Sequence, residues 1–438
     1  MARVVDPGSL LRMLRRAIKL AATPPMGPVF LALPADVLDA PVTEPIVPTT
    51  FPSTRSMPHP DEIEQAARML GAAEKPIIIM GDGIAYGGAQ QELVRVAEML
   101  GAPVWGADNS EVNMPASHPL YNGNLGHMFG ANSSRVTREA DAILIVGTYV
   151  FPEVFPFLDD EQIFKSGVKR VHIDLNAYEI AKNFPVELGI VADPKLSLAK
   201  LADALDRTMS DQVRARAAQS LDSMRSAKAT ARQKQIEADQ AVRDQVPLQT
   251  SCFMEALSRH VPDDVIIFDE ALTSSPPLTR YMPPDKPNTF FQTRGGSLGV
   301  GIPGALGLKL AAPDKTVIGF TGDGGSMYTI QALWTAAHSN IGAKFVICNN
   351  QSYMLLKLNI MQYWRQAGLQ PGTFPESFDL ANPVVNFAQL AESLGVPALR
   401  VDHPDQVEDA VRKMMETDGP FLIDMVVSSA LPDPSSGK

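Results

Sequence analysis

Cysteine is scarce in this sequence, since a chain of 438 residues contains only Cys252 and Cys348. The two cysteines lie far apart in the chain, so neither a disulfide framework nor a zinc site is indicated. A low cysteine content also fits the reducing environment of the cytoplasm.

Long apolar runs and blocks of basic residues are missing as well. No run reaches the ~18 to 20 apolar residues that a membrane-spanning helix needs. Charged residues at Arg3, Asp6 and Arg12 occupy the start of the chain, where a secretory signal peptide would carry its apolar region. The net charge of −11 argues against nucleic acid or an anionic membrane as a partner. We therefore expect a cytoplasmic protein that binds neither nucleic acid nor membrane.

The sequence does contain an alternation of apolar runs and helical patterns, and it is most informative in residues 316–353. Two apolar runs, 316–320 and 344–348, have the length and β-branched content of buried parallel strands. Between them, apolar residues recur at helical spacing, namely Met327, Ile330, Leu333 and Ala337. This stretch predicts a strand, a helix and a second strand parallel to the first.

The two loops of this unit carry residues of the types that bind ligands. Residues 322–326 read Gly-Asp-Gly-Gly-Ser, a turn that lets the backbone approach a ligand and whose following N–H groups favour an anion. Asn349 and Asn350 follow the second strand, so Asp323 and Asn350 both stand where open α/β sheets bind ligands. Their oxygens, with phosphate and water oxygens, suit Mg²⁺. An isolated Gly-Asp-Gly is more often a plain turn, but the paired loops predict a metal-diphosphate site.

This motif, with its helix, strand and Asn pair at the same spacing, resembles the cofactor motif of thiamine-diphosphate-dependent enzymes. Within that family the run from Gly322 to Tyr353 looks closest to benzoylformate decarboxylases, with acetolactate synthase-like proteins as the other near group. The resemblance implies thiamine diphosphate and Mg²⁺ (or Ca²⁺) as cofactors. It also implies three metal ligands: the side chains of Asp323 and Asn350, and the backbone carbonyl of Ser352.

The same resemblance implies further contacts with the cofactor. Leu298, in the segment Arg294 to Gly299, would be the apolar wedge that holds the cofactor bent, with ordinary core packing as the alternative. Thr273 would donate to phosphate, with capping of the next helix as the alternative. The remaining implied contacts are Gly296, Gly322, Gly324, Gly325, Ser326, Tyr328 and Tyr353.

The expected fold class is α/β, with two doubly wound parallel-sheet domains and the remnant of a third. The expected division is 1–45 for the remnant of a pyrimidine-binding domain, 46–60 for a linker, 61–206 for a central domain, 207–246 for a helical linker, 247–430 for the domain that binds thiamine diphosphate and magnesium, and 431–438 for a tail. In the central domain, Gly81-Asp82-Gly83 has the same sequence as the start of the metal loop. No Asn pair follows it at the matching distance, which favours a structural turn. Some family members bind FAD in this domain, and nothing in this sequence indicates it.

Residues 1–45 read as a helix over Leu10 to Ala22 and a strand within 27–34, which resembles the end of the pyrimidine-binding domain. In the family, a glutamate of that domain activates the cofactor across a dimer interface. No segment of this sequence matches the surroundings of that glutamate, so the catalytic residues are left unassigned. We expect a homodimer, a homotetramer or a separate chain that supplies the pyrimidine-binding domain.

The resemblance implies a 2-oxo acid decarboxylase or carboligase, with a small-molecule 2-oxo acid as substrate. An acetolactate synthase-like or acyl-CoA-handling enzyme and a non-catalytic cofactor-binding subunit are the alternatives. Bulky apolar residues over 354–364 either line a pocket or belong to the core, and an aromatic or branched substrate is favoured. His127 is the histidine that stands out. At 149–155, where benzoylformate decarboxylases have an active-site histidine, this chain reads Tyr-Val-Phe-Pro-Glu-Val-Phe.

Overall fold

The computed structural model describes residues 2–107, 109–126, 128, 130–150 and 163–431. His127, positions 151–155 and all but the first residue of the predicted tail therefore lie outside the described residues. Two six-stranded sheets and one two-stranded sheet are present in the described chain, and every strand pairing in them is parallel. The α/β fold class with two doubly wound parallel-sheet domains is confirmed. Within these ranges, no helix is both long and apolar enough to cross a membrane.

The N-terminal segment is small and poorly buried. Its elements are β1 (Ala2–Arg3), α1 (Leu10–Ala22), β2 (Leu31–Ala32) and α2 (Ala35–Leu38). The helix α1 has the predicted bounds and buries none of its side chains. The predicted strand within 27–34 is reduced to two residues that pair with β1.

The central domain forms a sheet in the order β5-β4-β3-β6-β7-β8. Its strands are β3 (Pro76–Met80), β4 (Val104–Gly106), β5 (Tyr121–Asn124), β6 (Ala142–Val146), β7 (Lys169–Asp174) and β8 (Leu188–Val191). Its helices are α3 (Pro60–Gly71), α4 (Gly83–Gly87), α5 (Gln90–Leu100), α6 (Gly130–Thr137) and α7 (Pro194–Thr208). Sequence chemistry sets the helix starts: proline occupies the first turn of α3 and α7, and Asp193 accepts a hydrogen bond from the N–H of Leu196 at 3.0 Å.

A long helix, α8 (Asp211–Ala241), follows the central sheet and lies within the predicted helical linker. Of its side chains only that of Ala217 is buried, where the helix crosses Gly101 so closely that a Cβ on Gly101 would lie 2.6 Å from the Ala217 Cα. Further along, the Lys228 ammonium donates to three backbone carbonyls of the segment 116–121, at 2.6, 2.7 and 2.9 Å. Near its end, Asp239 pairs with Arg280 of the C-terminal domain. The helix therefore contacts both large domains.

The C-terminal domain forms a sheet in the order β10-β9-β11-β12-β14-β13. Its strands are β9 (Ile266–Glu270), β10 (Phe290–Gln292), β11 (Val317–Gly322), β12 (Lys344–Asn349), β13 (Ala398–Val401) and β14 (Phe421–Val426). Its helices are α9 (Thr250–His260), α10 (Ser275–Tyr281), α11 (Gly301–Ala311), α12 (Asp323–Ser326), α13 (Ala332–His338), α14 (Met354–Gln366), α15 (Phe387–Ser393) and α16 (Val407–Glu416).

Both faces of this sheet are covered, and the strand sequences show why. Side chains alternate across a strand, so Ile318 and Phe320 pack on one face while Val317 packs on the other. Phe345 and Val346 divide in the same way. Strands that are apolar on both faces give the continuous apolar runs seen in the sequence.

The single helix predicted between β11 and β12 is wrong. The chain instead forms the four-residue α12, a turn over 327–331, and α13. Gly324 and Gly325 disfavour a continuous helix, and the N–H groups of Tyr328 and Thr329 bond three residues back, as in a tighter turn. Met327, expected on the apolar helix face, is 50% exposed as a result.

Candidate active site

The carboxyl ends of β9, β11 and β12 form one edge of the C-terminal sheet. The strand order reverses between β9 and β11, because the connection from β9 leads to β10 on one side while β11 lies on the other. Open α/β sheets bind ligands in the crevice at such a reversal. The loops after these three strands, 271–274, 323–326 and 350–353, therefore surround the candidate site.

Asp323 and Asn350 direct oxygens to the same point of this crevice. The Ser352 N–H donates to Asp323 Oδ2 at 3.3 Å and to Asn350 Oδ1 at 3.0 Å. Asp323 Oδ1 accepts from the N–H of Gly324 at 2.8 Å. Sharing one donor brings the carboxylate and the amide oxygen together, as the sequence predicted. Their role as metal ligands, with the carbonyl of Ser352, stays a prediction.

The electrostatics of Asp323 fit a cation. Burial raises the pKa of this carboxyl to about 6, although backbone N–H groups of Gly324, Gln351 and Ser352 oppose the shift. Neutral N–H groups do not offset the charge of a buried carboxylate as a metal ion does. Hard oxygen donors of this kind, an acid and an amide, suit Mg²⁺ or Ca²⁺.

Glycines at 324 and 325 lie where neighbouring side chains occupy the space that a Cβ would need. A Cβ on Gly324 would lie 2.3 Å from Cε1 of Tyr353, so the Tyr353 ring rests directly on this glycine. The hydroxyl of Ser326 donates to the Asp323 carbonyl at 2.8 Å and so closes the turn. Because α12 has four residues, its macrodipole is small, and an anion here would depend on individual N–H groups. Gly322, by contrast, has nothing within 4 Å of an added Cβ.

The loop after β9 lies at the same edge of the sheet. Thr273 lies in a 3-10 turn over Leu272–Ser274, and neither this turn nor α10 has a side-chain cap, so the capping alternative for Thr273 is not realised. Leu272 adopts a φ of +50°, which is uncommon for a bulky residue and typical of functional turns. Asp269 is buried beside it, and burial raises its pKa to about 6.

The segment Arg294 to Gly299 extends toward the same crevice. Leu298 is 42% exposed, so the core-packing alternative for this side chain is wrong. Gly296 has a φ of +71°, which suits glycine at the bend. Thr329 donates from its hydroxyl to the Gly299 carbonyl at 2.6 Å. Tyr328 lies against Gly299 and is 64% exposed.

Sequence reasoning missed several residues that shape the site. Glu270 is buried, and its two oxygens accept hydrogen bonds from the backbone N–H groups of Gly299 and Gly301. An acidic pair, Asp269 and Glu270, at the end of an apolar strand was the available signal. Gln351 takes a φ of +55° and so turns Asn350 and Ser352 toward one another. No sequence signal distinguished it.

The first residue of the Asn pair has a different task from the second. Asn349 donates to Asp424 Oδ1 at 2.8 Å, and Arg400 pairs with the other oxygen of Asp424 at 3.0 Å. This buried group joins the end of β12 to the neighbouring strand β14. Only Asn350 faces the crevice loops.

The apolar set over 354–364 forms α14, next to the loop at 350–353. Met354 is buried, whereas Leu355, Leu356 and Tyr363 are exposed. Core packing therefore accounts for Met354 and not for these three side chains. Gln362 donates to Asn132 Oδ1 of the central domain at 3.3 Å, which ties the helix across the two domains.

Comparisons with known proteins point in the same direction. The profile of the thiamine pyrophosphate enzyme central domain matches residues 63–201, and that of the C-terminal TPP binding domain matches residues 273–425. The chain is 27% identical to a probable acetolactate synthase large subunit of Methanococcus aeolicus, over 96% of this chain and 70% of that protein. It is 27% identical to benzoylformate decarboxylase of Pseudomonas aeruginosa, over 96% of this chain and 74% of that protein.

A solved structure described as a putative thiamin diphosphate-dependent enzyme from Mycobacterium smegmatis is similar in fold and sequence. Its TM-score is 0.77 with 26% identity, covering 97% of this chain and 75% of that one. The matched domains, the parallel sheets and the crevice loops all indicate the same family. The chain belongs to the thiamine-pyrophosphate-dependent enzyme family.

Proposed function

We propose that this chain is a Mg²⁺-dependent enzyme of this family. In this proposal it cleaves the bond between the carboxylate and the carbonyl carbon of a 2-oxo acid. The observation that carries the proposal is the convergence of Asp323 and Asn350 on the Ser352 N–H at the switch point of the C-terminal sheet. One relative is named for decarboxylating benzoylformate, which is a 2-oxo acid.

The described residues fit the cofactor. Asp323, Asn350 and the Ser352 carbonyl would hold the metal, and the glycine loop at Gly324, Gly325 and Ser326 would hold the diphosphate. A Cβ at Gly324 would meet the Tyr353 ring, so the cradle admits no side chain. When bound, thiamine diphosphate supplies an electron sink for the charge left on the carbonyl carbon as CO₂ departs.

The other role of the chain is to orient the substrate and exclude water. Leu298 and the exposed apolar side chains of α14, Leu355, Leu356 and Tyr363, present an apolar rim beside the crevice loops. Such a rim favours an aromatic or branched 2-oxo acid over a small polar one. A drier site also strengthens the contacts that Asp323 makes.

We further propose that another chain or a second copy completes the site. Met327, Tyr328 and Trp334 follow the glycine loop and are 50, 64 and 54% exposed. Large apolar side chains clustered at the rim of a site are typical of an interface. The partner would supply the acid-base group, which this proposal does not assign to any residue of the chain.

An acetolactate synthase-like carboligase is the second candidate, and the probable acetolactate synthase relative favours it. Both candidates begin by decarboxylating a 2-oxo acid, so they differ only in whether a second carbonyl compound is joined.

The test incubates the purified chain with thiamine diphosphate, Mg²⁺ and a panel of 2-oxo acids, with and without a supplied pyrimidine-binding domain. We expect CO₂ release with aromatic or branched acids when the supplied domain is present. Analysis of the organic product then separates the aldehyde of a decarboxylase from the hydroxyketone or acetohydroxy acid of a carboligase. Tight cofactor binding without CO₂ release from any acid in either condition would contradict the enzyme proposal and identify a cofactor-binding subunit.

A further inference from the structure

Glu270 is a buried acid between two parts of the candidate cofactor site. It is the last residue of β9, only 1% of its surface is exposed, and it is paired in register with Thr321 of β11. The backbone that follows Leu298 lies against its carboxylate, and so does the glycine loop at Gly325. Because the strand order reverses between β9 and β11, Glu270 stands at the crevice where a ligand is expected.

The carboxylate of Glu270 binds the start of α11. Its Oε1 accepts from the N–H of Gly299, and its Oε2 accepts from the N–H of Gly301, where the helix begins. A Cβ on Gly301 would lie 2.9 Å from Oε2, so backbone and carboxylate are in direct contact. The first N–H groups of a helix have no acceptor within it, and a negative charge near them is favourable. Glu270 therefore supplies acceptors for the backbone just after Leu298.

The same carboxylate lies against the glycine loop. A Cβ on Gly325 would lie 3.0 Å from Oε1 of Glu270. The turn itself is closed by other bonds, from the N–H of Gly324 and the hydroxyl of Ser326 to Asp323, each at 2.8 Å. The loop thus keeps its own shape, while the Glu270 side chain fills the space between the loop and the start of α11.

A carboxylate is the side chain that this arrangement requires. Burial raises the pKa of Glu270, whereas the neighbouring backbone N–H groups and the Thr321 hydroxyl oppose the shift. An ionised carboxylate accepts at both oxygens, but a glutamine amide accepts at one end and donates at the other. Glutamine at this position therefore has the right shape and lacks one of the two acceptors.

The amino part of the segment before Leu298 is anchored independently of Glu270. The Thr293 N–H donates to the Asp269 carbonyl at 3.0 Å, and the Thr293 hydroxyl donates to the Ser297 carbonyl. The N–H of Ser297 donates to the carbonyl of Arg294 at 3.2 Å. We therefore expect the segment to keep its course up to Ser297 when Glu270 is changed.

Gly299, on the other side of Leu298, is held through both of its backbone polar groups. Its N–H donates to Glu270, and its carbonyl accepts from the Thr329 hydroxyl at 2.6 Å. Its φ of +83° favours glycine, and a Cβ there would lie 2.5 Å from Cβ of Tyr328. The backbone after Leu298 is therefore confined, and Glu270 and Thr329 provide its polar anchors.

We propose that Glu270 and Thr329 are positioning residues that set the separation between Leu298 and the glycine loop. This separation fits the site to a cofactor that carries both a ring system and a diphosphate. The inference rests on the proposed function, in which Leu298 contacts the rings and the glycine loop contacts the diphosphate. Glu270 and Thr329 act through Gly299 and touch neither substrate nor cofactor.

The test measures two affinities of the full-length chain by calorimetry, one for inorganic pyrophosphate with Mg²⁺ and one for thiamine diphosphate with Mg²⁺. Pyrophosphate reaches the metal ligands and the glycine loop, whereas thiamine diphosphate also reaches Leu298. The readout is the ratio of the two affinities, because the negative charge lost in Glu270→Gln acts on the diphosphate of both probes. For Glu270→Gln we expect the preference for thiamine diphosphate to fall by roughly tenfold, the lower end of what supporting residues contribute at a metal site.

A pair of variants at Thr329 tests the second anchor without changing a charge. Thr329→Val removes the hydroxyl at nearly constant volume, and we expect the preference for thiamine diphosphate to fall by roughly threefold, as for the loss of one hydrogen bond. Thr329→Ser keeps the hydroxyl and should restore the original preference. Recovery in the serine variant separates the hydrogen bond from simple packing.

Asp193→Asn is the matched control. Asp193 is another buried carboxylate at a helix start, where it accepts from the Leu196 N–H at 3.0 Å, but it lies in the central domain. This variant should lower the melting temperature and leave the ratio of affinities unchanged. Circular dichroism and thermal unfolding verify that every variant is folded.

The results separate the two levels of inference. Failure of the original chain to bind thiamine diphosphate would overturn the proposed function, and this inference with it. If the original chain binds both probes, an unchanged ratio in Glu270→Gln, or an equal fall in Asp193→Asn, would overturn the positioning role alone. Should Glu270→Gln fail to fold, an unchanged ratio in Thr329→Val would overturn it. A fall in Glu270→Gln and Thr329→Val that Thr329→Ser does not show supports it.

Discussion

Two Gly-Asp-Gly turns stand after strands of the two large sheets and use their aspartates in opposite ways. Asp82 is saturated: backbone, hydroxyl and amide donors surround it, and Arg294 adds a positive charge. Asp323 accepts only from neutral backbone N–H groups in the bonds the structure shows, and it shares one of them with Asn350. The two turns share the motif but differ in the number and charge of the donors around the aspartate, and only Asp323 stays a predicted metal ligand.

The first glycines of the two turns have different surroundings, whereas the glycine after the aspartate is crowded in both turns. A Cβ on Gly81 would lie 2.5 Å from Cβ of Thr148, and one on Gly83 would lie 2.5 Å from the Cα of Gly147. The central turn is therefore packed against the loop after β6. In the C-terminal turn, Gly322 has open space around it. The interpretation of residues 81–83 as a structural turn agrees with these contacts.

The largest expected effect is a loss of cofactor binding when Asp323 is changed. Asp323→Ala should abolish Mg²⁺-dependent binding of thiamine diphosphate, with a loss of at least ~100-fold, because a direct metal ligand matters more than the outer groups that cost 10 to 100-fold. Calorimetry with and without Mg²⁺ measures it. Asp323→Ala that binds as tightly as the original chain would remove the metal assignment.

The pH dependence of stability should follow from Asp269, which has fewer donors than Asp82. Burial raises its pKa to about 6, so the folded state holds a proton that the unfolded state releases near pH 4. The stabilisation present below pH 4 should be lost as pH rises through about 6, by up to roughly 3 kcal/mol. Urea unfolding of the original chain and of Asp269→Asn at pH 4 to 7 isolates this contribution. Parallel curves for the two proteins would contradict the assignment.

Removing the saturated aspartate should weaken the fold itself. Asp82→Ala leaves the half-buried Ser110 and the buried Asn113 donors without their acceptor, and we expect a loss of about 2 kcal/mol in the free energy of unfolding. Denaturant unfolding of the cofactor-free chain measures it. Asp323→Ala is the matched control and should be destabilised less. The reverse order would break the comparison between the two turns.

The smallest effect concerns the glycines. Gly83→Ala places a methyl group against backbone atoms and should lower the free energy of unfolding by roughly 1 to 2 kcal/mol. Gly322→Ala meets open space at an extended φ of −84° and should change it by less than about 0.5 kcal/mol. Thermal unfolding of the pair tests this difference. Similar melting temperatures for both variants would show that the central turn has room to adjust.

The sequence predicted the parts of the molecule that depend on local pattern. Continuous apolar runs identified β11 and β12, because central parallel strands are buried on both faces. The short edge strands β5 and β10 have too few apolar residues to give such a signal. The two glycines of the loop also broke a helix that apolar spacing alone predicted.

The candidate site could be predicted where it depends on residues within one local unit of the chain, and not where it depends on distant contacts. Asp323 and Asn350 lie at strand ends within one βαβ unit, so their approach follows from topology. Glu270 acts on an N–H 29 positions away, and Arg294 pairs across 212 positions. Contacts of that separation depend on how domains pack, which periodicity and spacing do not encode.

The long helix α8 constrains which substitutions and insertions this chain tolerates. Its 31 residues span about 46 Å, and its contacts with the two large domains include those of Ala217, Lys228 and Asp239. Most of its other positions face water and tolerate substitution. One inserted residue between Ala217 and Lys228 would rotate every later contact by about 100°, carrying Lys228 away from its three carbonyls. Substitutions at the exposed positions of α8 are therefore tolerated, whereas a change in its length is not.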